Sequence, residues 1–118
     1  MNEKNTFFAT ASLETKDIED ATRQAALACY GIVAICKREE ISRLELPTKK
    51  GNSEDAIYVN KKPNRTFTID VYLVLSNEVK ITEALAECQK NIMYILSNKY
   101  NQACTGVNVY GEKILASH

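Results

Sequence analysis

The carboxylate of Asp70 is the group in this sequence with the best claim to a chemical role. It lies near the centre of TIDVYLVL, residues 68–75, which is the most apolar strand-like run of the chain. A carboxylate buried in such a run could be held there for catalysis, because perturbed acids cluster at active sites. A carboxylate on the solvent side of the same strand would be an ordinary surface acid. The face that carries Asp70 decides between these two interpretations.

The alternation of side chains predicts that Asp70 faces away from the core. Successive side chains of a β-strand point to opposite faces of the sheet. The odd-numbered positions from 67 to 75 are all apolar, whereas the even-numbered positions from 66 to 76 are mainly polar. The odd positions should therefore form the core face, with Asp70 opposite them beside Thr68 and Tyr72. We interpret Asp70 as a solvated or cross-strand-paired acid, since a catalytic role would require a further layer or a partner to bury it.

The other candidate metal ligands and nucleophiles are four cysteines and one histidine. The cysteines are Cys29, Cys36, Cys88 and Cys104. None belongs to a CxxC pair, whereas zinc ligands usually come in pairs about two to four residues apart, and His118 is the final residue. We therefore predict no metal site and interpret the cysteines as buried thiols. Cys36, beside Lys37 and Arg38, is the one candidate for a reactive thiol, because neighbouring cations favour the thiolate.

Catalytic motifs of other kinds are equally scarce. There is no GxGxxG or P-loop pattern, and the four glycines lie far apart. With its histidine at the chain end, the sequence offers no Ser–His or Cys–His pair. The carboxylates of the predicted helices should lie on solvent faces. We therefore predict no catalytic, cofactor-binding or metal-binding residues and no enzymatic activity.

A basic hairpin tip is the feature that could bind nucleic acid. The segment NKKPNR carries Lys61, Lys62 and Arg65 between two strand-like runs. Exposed cations can follow a phosphate backbone, and Tyr72 on the outer face could stack on bases. No KH or RRM motif accompanies them, so a small RNA-binding module is the alternative function rather than the favoured one. The possible interaction surface comprises Lys61, Lys62, Arg65, Asp70 and Tyr72.

The composition suits one soluble globular domain. The chain has 118 residues, and its fifteen basic residues balance fifteen acidic ones. A neutral chain has no global field that would draw it to nucleic acid or to an anionic membrane. No apolar run approaches the roughly 20 residues that span a bilayer, and the N-terminus does not resemble a secretory signal. We expect a cytoplasmic protein without direct membrane insertion, and any contact with a membrane should be peripheral or through a partner.

The first part of the chain predicts one helix and one strand that could position these groups. Residues 15–31 predict a helix, with Thr15 or Asp17 as its cap and Gly31 at its end. The run GIVAIC, residues 31–36, predicts a strand buried on both faces because it is short, β-branched and almost wholly apolar.

The second half of the chain predicts a hairpin, a second helix and a last strand. AIYVN and RTFTIDVYLVLS flank the loop KKPN, as in a hairpin. The second helix should bury an apolar stripe with spacings of four, three, four and three. The stripe comprises Ile81, Leu85, Cys88, Ile92 and Ile95. A strand–helix–strand unit normally leaves its two strands parallel, so the sheet should be mixed.

Together these elements predict an α+β domain. Two main helices should pack on one face of a small mixed β-sheet that contains a β-hairpin. Residues 1–10 should form an N-terminal arm and residues 11–118 a single domain. KREEISRLELP is compatible with a strand or a short helix, so the structure of residues 38–56 is left open. Either this region or the N-terminal arm could cover the outer face of the sheet.

Four segments carry a likeness to a known family. They are ASLETKDIEDATRQAALACYGIVAI, FTIDVYLVL, VKITEALAECQKNIMYIL and TGVNVYGEKI, and they fall between residues 11 and 114. In this order they resemble the opening strand and helix, the Val-Asp-Leu-Tyr-type strand, the second helix and the terminal Val-Asn-Val strand of the bacterial alkaline shock protein family, also called the envelope stress response family. The residues that match the family's pattern are Asp70 and Tyr72 in the second segment, Gln89 in the third and Asn108 in the fourth.

The resemblance implies a non-enzymatic scaffold protein that acts through protein–protein contacts. Members of this family are similar in being cytoplasmic, and some are held at the membrane by a small integral membrane partner. The expected partners are a second copy of the chain, a small membrane-anchor protein, or both, and no cofactor is implied. Two departures concern the glycine before the second helix, replaced here by Asn77 and Glu78, and residues 36–64, which differ from the usual middle region.

Overall fold

The structure is a computed structural model that describes residues 13–41 and 54–115. Helices and strands make up most of these residues. The elements are helix α1 Thr15–Leu27, strand β1 Ile32–Ile35, helix α2 Arg38–Ile41, strand β2 Ile57–Lys61, strand β3 Phe67–Ser76, helix α3 Ile81–Lys99 and strand β4 Cys104–Leu115. Helices α1 and α3 pack on one face of a four-stranded sheet. The predicted α+β class is confirmed, while the predicted arm, residues 1–10, lies outside the described residues.

Strand β3 is the centre of the sheet, and each of the other strands pairs with it. Strand β4 runs parallel to β3 along one edge, from Phe67 to Ser76. On the other edge, β2 pairs antiparallel with residues 67–71 and β1 pairs antiparallel with residues 73–75. The mixed sheet and the hairpin formed by β2 and β3 are therefore confirmed.

Strands β1 and β2 lie end to end as two halves of one edge strand. The backbone N–H of Cys36 donates to the carbonyl of Tyr72 at 2.9 Å, and the N–H of Tyr72 donates to the carbonyl of Ala56 at 3.1 Å. A β-bridge then joins Lys37 to Asp55. We call the segment between and including these two residues the excursion, because the chain leaves the sheet there and re-enters it at the adjacent position of β3.

The main core lies between the sheet and the two long helices. The predicted core positions of β3 are at most 1% exposed. On α3 the buried residues are Ala84, Cys88, Ile92 and Leu96. These residues follow an i, i+4 row of the helix surface. Of the stripe predicted from the sequence, Cys88 and Ile92 are buried, and Leu85 and Ile95 pack against the core partly buried. The prediction is wrong at Ile81, which begins the helix and is 39% exposed.

The ends of α1 differ from those predicted. The residue before the helix is Glu14, and no side chain caps the helix by a hydrogen bond, so Thr15 and Asp17 do not play that role. The helix ends at Leu27, and residues 28–31 form a turn that leads to β1. Gly31 is therefore the last residue of this turn and does not end the helix. Gly31 has a φ of 88°, a left-handed conformation that glycine adopts without steric cost.

Strand β1 is not buried on both faces, as its composition predicted. Val33 is 46% exposed. The register of β1 against β3 shifts between Ile32 and Ala34, which leaves Val33 without a paired position. A bulged residue of this kind is displaced from the sheet, and an apolar sequence does not reveal it.

Candidate interaction surface on the outer sheet face

Asp70 lies on the outer face of the sheet, which is the face turned away from α1 and α3. Its Oδ1 accepts a hydrogen bond from Nδ2 of Asn108 at 2.9 Å, and its Oδ2 accepts one from Nδ2 of Asn60 at 3.1 Å. The register of the sheet brings these groups together, since Asp70 pairs with Asn108 on β4 and Asn60 pairs with Thr68. Asp70 is therefore a cross-strand-paired acid, which is one of the two forms that the alternation predicted.

Three tyrosines form a row across the outer face beside Asp70. Tyr72 stacks on Tyr110 of β4, with ring centroids 4.6 Å apart and planes inclined by 20°. On its other side Tyr72 meets Tyr58 edge to face, with centroids 5.9 Å apart. Tyr110 is 39% exposed, whereas Tyr58 is buried. The aromatic surface available to a partner is therefore formed by Tyr72 and Tyr110.

Arg38 of α2 covers the ring of Tyr58. Its guanidinium carbon lies 4.6 Å from the ring centroid. Its Nη2 donates to Oε2 of Glu19 at 2.9 Å and to the carbonyl oxygen of Ile57. Glu19 belongs to α1 and is fully buried, so the expectation that helix carboxylates face solvent is wrong here. Its burial is tolerated because Arg38 reaches around the β2 edge of the sheet and neutralises the charge.

A second, smaller apolar cluster covers one end of the outer face. It comprises Cys36, Ile41, Ala56, Tyr58 and Val74. Ile41, at the end of α2, is 3% exposed, so the first turn of the excursion provides part of this cover. Residues 42–53 lie outside the described residues. Cys36, the sequence candidate for a reactive thiol, is 1% exposed, which closes it to reagents in this conformation.

The rest of the outer face carries partly or fully exposed polar and aromatic side chains. We call this surface the outer patch: Thr68, Asp70, Tyr72, Asn108 and Tyr110. It combines hydrogen-bonded carboxylate and amide groups with two stacked rings. Such a mixture suits protein recognition, in which tyrosine supplies apolar area and neighbouring polar groups supply direction.

Ion pairs tie α1 to the base of the excursion. Oδ2 of Asp55 accepts from Nε of Arg23 at 2.7 Å, and Oδ1 accepts from Nζ of Lys37 at 3.1 Å. Arg23 also bonds Asp20 at 2.7 Å. Burial alone would raise the pKa of Asp55, but the hydrogen bonds from Arg23 and Lys37 lower it below its ordinary value. Charge therefore holds the ends of the excursion together in addition to the β-bridge.

The basic hairpin tip is exposed but separate from the outer patch. Lys61, Lys62 and Arg65 are all exposed. Tyr72 lies five residues beyond the start of β3, a distance of about 16 Å at roughly 3.3 Å per residue. Asp70 lies between the tip and Tyr72, and its negative charge opposes a phosphate chain that would join them. Of the five surface residues predicted from the sequence, the structure brings Asp70 and Tyr72 together and places the three cations elsewhere.

Residues that carry the family likeness meet at β4. Nε2 of Gln89, on α3, donates to the carbonyl oxygen of Val107 at 2.6 Å. The next residue of β4 is Asn108, which bonds Asp70. Hydrogen bonds at two consecutive residues of β4, Val107 and Asn108, thus join this strand to α3 and to β3. The order of the segments in the sequence could not reveal this, because order alone gives no distances.

The described residues offer few other reactive groups. No three His, Cys, Asp or Glu side chains come together there as a metal-binding group. No helix in the same part of the chain combines the length and the apolar character that crossing a bilayer requires. Burial raises the pKa of the thiols of Cys88 and Cys104, so both are protonated near neutral pH.

A relative of similar sequence is the uncharacterized protein YloU of Bacillus subtilis strain 168. The two chains are 29% identical over 87 residues, a region that covers 73% of this chain and 72% of YloU. No family model matches the sequence. Membership of the alkaline shock protein family therefore stays a prediction.

Solved structures of the MamM CTD have a similar fold. A cadmium form of one variant superposes with a TM-score of 0.54 at 8% identity, covering 85% of this chain and 98% of that chain. A nickel form of another variant gives a TM-score of 0.51 at 9% identity, covering 86% and 96%. At such low identity the likeness is one of fold alone. The chain thus shares its fold with the MamM CTD and part of its sequence with YloU.

Proposed function

We propose that this chain is a non-catalytic scaffold domain of the envelope-stress type, acting through protein–protein contacts made by the outer patch. The observation that carries the proposal is the stacked pair of Tyr72 and the 39% exposed Tyr110 beside the amide-held Asp70. Exposed tyrosines supply large contact areas at low entropic cost. The match of Asp70, Tyr72 and Asn108 to the alkaline shock proteins supports the same surface.

The surroundings of Asp70 support a role without catalysis. A general base must accept a proton from a substrate, and a general acid must donate one. Each oxygen of this carboxylate instead accepts an amide N–H, from Asn60 and Asn108. Neither amide can relay a proton at ordinary pH. Among the described residues, no cation forms an ion pair with Asp70.

The proposed partners are a second copy of the chain and a small membrane-anchor protein, with the chain itself in the cytoplasm. Strand β4 supports a protein partner, because among the described residues it pairs with β3 alone. The edge of β4 that faces away from β3 presents backbone N–H and C=O groups next to Asn108 and Tyr110. A strand of a second protein could pair with these groups.

Two tyrosine variants test the proposal. Tyr110→Ser removes the exposed ring of the outer patch, and Tyr94→Ser is the matched control, because Tyr94 is 69% exposed on α3. Self-association is measured by size-exclusion chromatography with light scattering. Partner capture is measured by cross-linking and fractionation of native cells. We expect Tyr110→Ser to weaken the association about tenfold or more, as loss of a central aromatic contact does, and Tyr94→Ser to leave it unchanged.

A strictly monomeric chain that captures no partner would contradict the proposal as a whole. Equal losses in Tyr110→Ser and Tyr94→Ser would contradict the assignment of the outer patch. Retention of the chain at the membrane only when a second protein is present would support an anchor. Self-association without membrane retention would support the second copy of the chain.

A further inference from the structure

A groove between α1 and α3 lies on the helical side of the domain, so the sheet separates it from the outer patch. Its volume is about 730 Å³, which falls within the range of roughly 300–1,000 Å³ that is usual for small-molecule sites. The apolar floor of the groove consists of Ala21, Ala25, Ala28 and Ile95. Its charged and phenolic lining groups are Asp17, Asp20, Lys99 and Tyr100.

The hydroxyl of Tyr100 is a buried polar group without a partner. Tyr100 directly follows α3, and its ring packs edge to face on Phe67 with centroids 5.7 Å apart. The residue is 3% exposed, and its hydroxyl has no hydrogen-bond partner among the described residues. A buried hydroxyl in this state carries a desolvation cost that a hydrogen bond would offset. Because Tyr100 lines the groove, a molecule bound there could supply that hydrogen bond.

Asp17 lies at the same end of the groove as Tyr100. Nδ2 of Asn91, on α3, donates to the carbonyl oxygen of Ala25 at 3.1 Å, which places these two residues side by side. At roughly 1.5 Å per residue, Asp17 on α1 and Tyr100 after α3 each lie about 12–14 Å along the helix from that contact. Since both residues line one groove, the helices run in opposite directions and the two side chains share one end of it.

The charged groups at this end differ in whether they already have partners. Asp20 is paired with two cations of its own helix, at 3.4 and 2.7 Å. Asp17 has no ion-pair partner in the part of the chain that the structure describes. Nζ of Lys99 lies 5.9 Å from the centroid of the Tyr100 ring, a position over the ring face that favours a cation. The carboxylate available to a ligand is therefore that of Asp17.

We propose that the groove binds a small molecule that carries a primary ammonium group on an apolar chain. The ammonium donates to the carboxylate of Asp17 and to the hydroxyl oxygen of Tyr100, and the chain lies on the floor formed by Ala21, Ala25 and Ile95. An ammonium has three N–H donors and no acceptor, so two oxygen atoms at one end of the groove suit it. Its charge matches the unpaired Asp17, and its N–H satisfies the buried hydroxyl.

The electrostatics of the groove favour a cation over an anion. Burial, together with the charges of Asp17 and Asp20, raises the pKa of Tyr100 to about 12, so the hydroxyl stays protonated and neutral at physiological pH. The two carboxylates oppose an anionic ligand at this end. The charge of Lys99 opposes a cationic one, but its exposed side chain is screened by solvent. Removal of the Lys99 charge should therefore strengthen binding.

Titration of the full chain with hexylammonium chloride tests the proposal, with NMR shifts of the backbone amides as the readout. We expect saturable shifts centred on α1 and on the end of α3. The same titration with 1-hexanol, which has the chain without the charge, should show weaker binding. Hexanoate, which carries the opposite charge, should not bind.

Substitutions at the polar end test the assigned contacts. Tyr100→Phe removes only the hydroxyl and should weaken binding of hexylammonium about two- to tenfold. Its unfolding midpoint should not fall, because the hydroxyl has no partner to lose. Asp17→Asn should weaken binding about tenfold, and Lys99→Gln should strengthen it. Tyr94→Phe and Glu87→Gln, both at exposed positions of α3, are the matched controls and should bind as the parent chain does.

Three results would overturn the proposal. They are the absence of saturable shifts at the groove with hexylammonium, equal affinities for hexylammonium and 1-hexanol, and unchanged affinity in both Tyr100→Phe and Asp17→Asn. Both variants keep the size of the side chain, and urea unfolding before each titration establishes that they are folded.

Discussion

Asn108 of β4 donates a hydrogen bond of 2.9 Å to the carboxylate of Asp70 on β3. The donor is Nδ2, because an ionised carboxylate can only accept. The same carboxylate accepts Nδ2 of Asn60 from the strand on the other side, at 3.1 Å. The carboxylate of Asp70 therefore connects β3 to both neighbouring strands, β2 and β4, on the outer face. Its hydrogen bonds stabilise the pairing of these strands. This connection accounts for an acid near the centre of an apolar-looking strand.

Asp70→Asn should weaken the connection, because an amide replaces the acceptor that two other amides share. We expect the free energy of unfolding to fall by about 0.5–1.5 kcal/mol, the net value of a partly exposed hydrogen bond, as measured by urea denaturation. Glu112→Gln is the control, since Glu112 is an exposed acid of β4. An equal effect of both substitutions would show that charge, and not the contacts of Asp70, matters here.

Glu19→Gln should destabilise the chain far more. The substitution keeps the size of the side chain but leaves Arg38, whose side chain is only 17% exposed, without its buried counter-charge. Removal of one partner from a buried ion pair typically costs about 3–5 kcal/mol. Asp20→Asn, at the next position of α1 and 43% exposed, should have a much smaller effect, because solvent screens an exposed ion pair. Comparable midpoints of urea unfolding for the two variants would refute the burial of Glu19.

Asp55 should make stability depend on pH in the acid range. Its folded-state pKa lies below the ordinary value of 3.8, so the unfolded chain binds the proton more tightly. The stabilisation is fully present above that ordinary value and is lost as pH falls through the lower folded pKa. Asp55→Asn should therefore be less stable than the parent at pH 7, by about 1–3 kcal/mol, and the difference should shrink as pH falls below about 4.

Urea unfolding of both chains at pH 7, 5, 3.5 and 2.5 checks this prediction. Glu112→Gln in the same pH series controls for the general loss of carboxylate charge. A difference between parent and Asp55→Asn that stays constant down to the lowest pH would show that ionisation of Asp55 does not stabilise the fold.

Gly31→Ala should destabilise the turn between α1 and β1. A Cβ atom at this position would lie 2.9 Å from Cγ1 of Val79, and the φ of 88° disfavours any side chain. Strain of this kind costs about 1–3 kcal/mol. At Gly106 a Cβ would meet Thr68 at 3.5 Å, an ordinary contact. Gly106→Ala is thus the matched control in thermal unfolding, and a smaller loss in Gly31→Ala than in Gly106→Ala would contradict the assigned turn.

The basic hairpin tip should not bind RNA with measurable affinity. The three cations lie away from the stacked tyrosines, and the charge of Asp70 separates the two groups. A fluorescence titration with single-stranded RNA at two salt concentrations should show no binding even at the lower one, where phosphate contacts are strongest. A steep salt dependence that disappears on combined substitution of Lys61, Lys62 and Arg65 by Gln, but not in Lys80→Gln, would establish the alternative function.

Strand β3 could be predicted in detail because it obeys a local rule. Its odd positions from Phe67 to Leu75 are all buried, and the period of two in the sequence specifies this without knowledge of the rest of the chain. The hairpin and the parallel pairing with β4 followed from turn residues and from general rules of connection. The second helix was predictable in position and largely in orientation, since Cys88 and Ile92 are buried as predicted, whereas the exposure of Ile81 at its first residue was not foreseen.

The buried Glu19 could not be predicted in the same way. An acid is rarely buried without a partner, and the partner here, Arg38, lies in a segment whose conformation the sequence left open. The nearest sequence signal is weak: Glu19 is followed at spacings of three and seven by Thr22 and Ala26, which are also buried. Only the tertiary contact distinguishes this row from an ordinary polar face.

The β-bridge between Lys37 and Asp55 has a consequence for how this domain can change. With the two ends of the excursion fixed side by side, each doubling of its length adds only about 0.6 kcal/mol of closure entropy. The pairing of β1 and β2 with β3 should therefore depend little on the length of the segment between residues 42 and 53. A lineage could change the length or sequence of this segment while inheriting the same sheet. The same position is the natural place for an experimenter to graft a foreign peptide or an affinity tag.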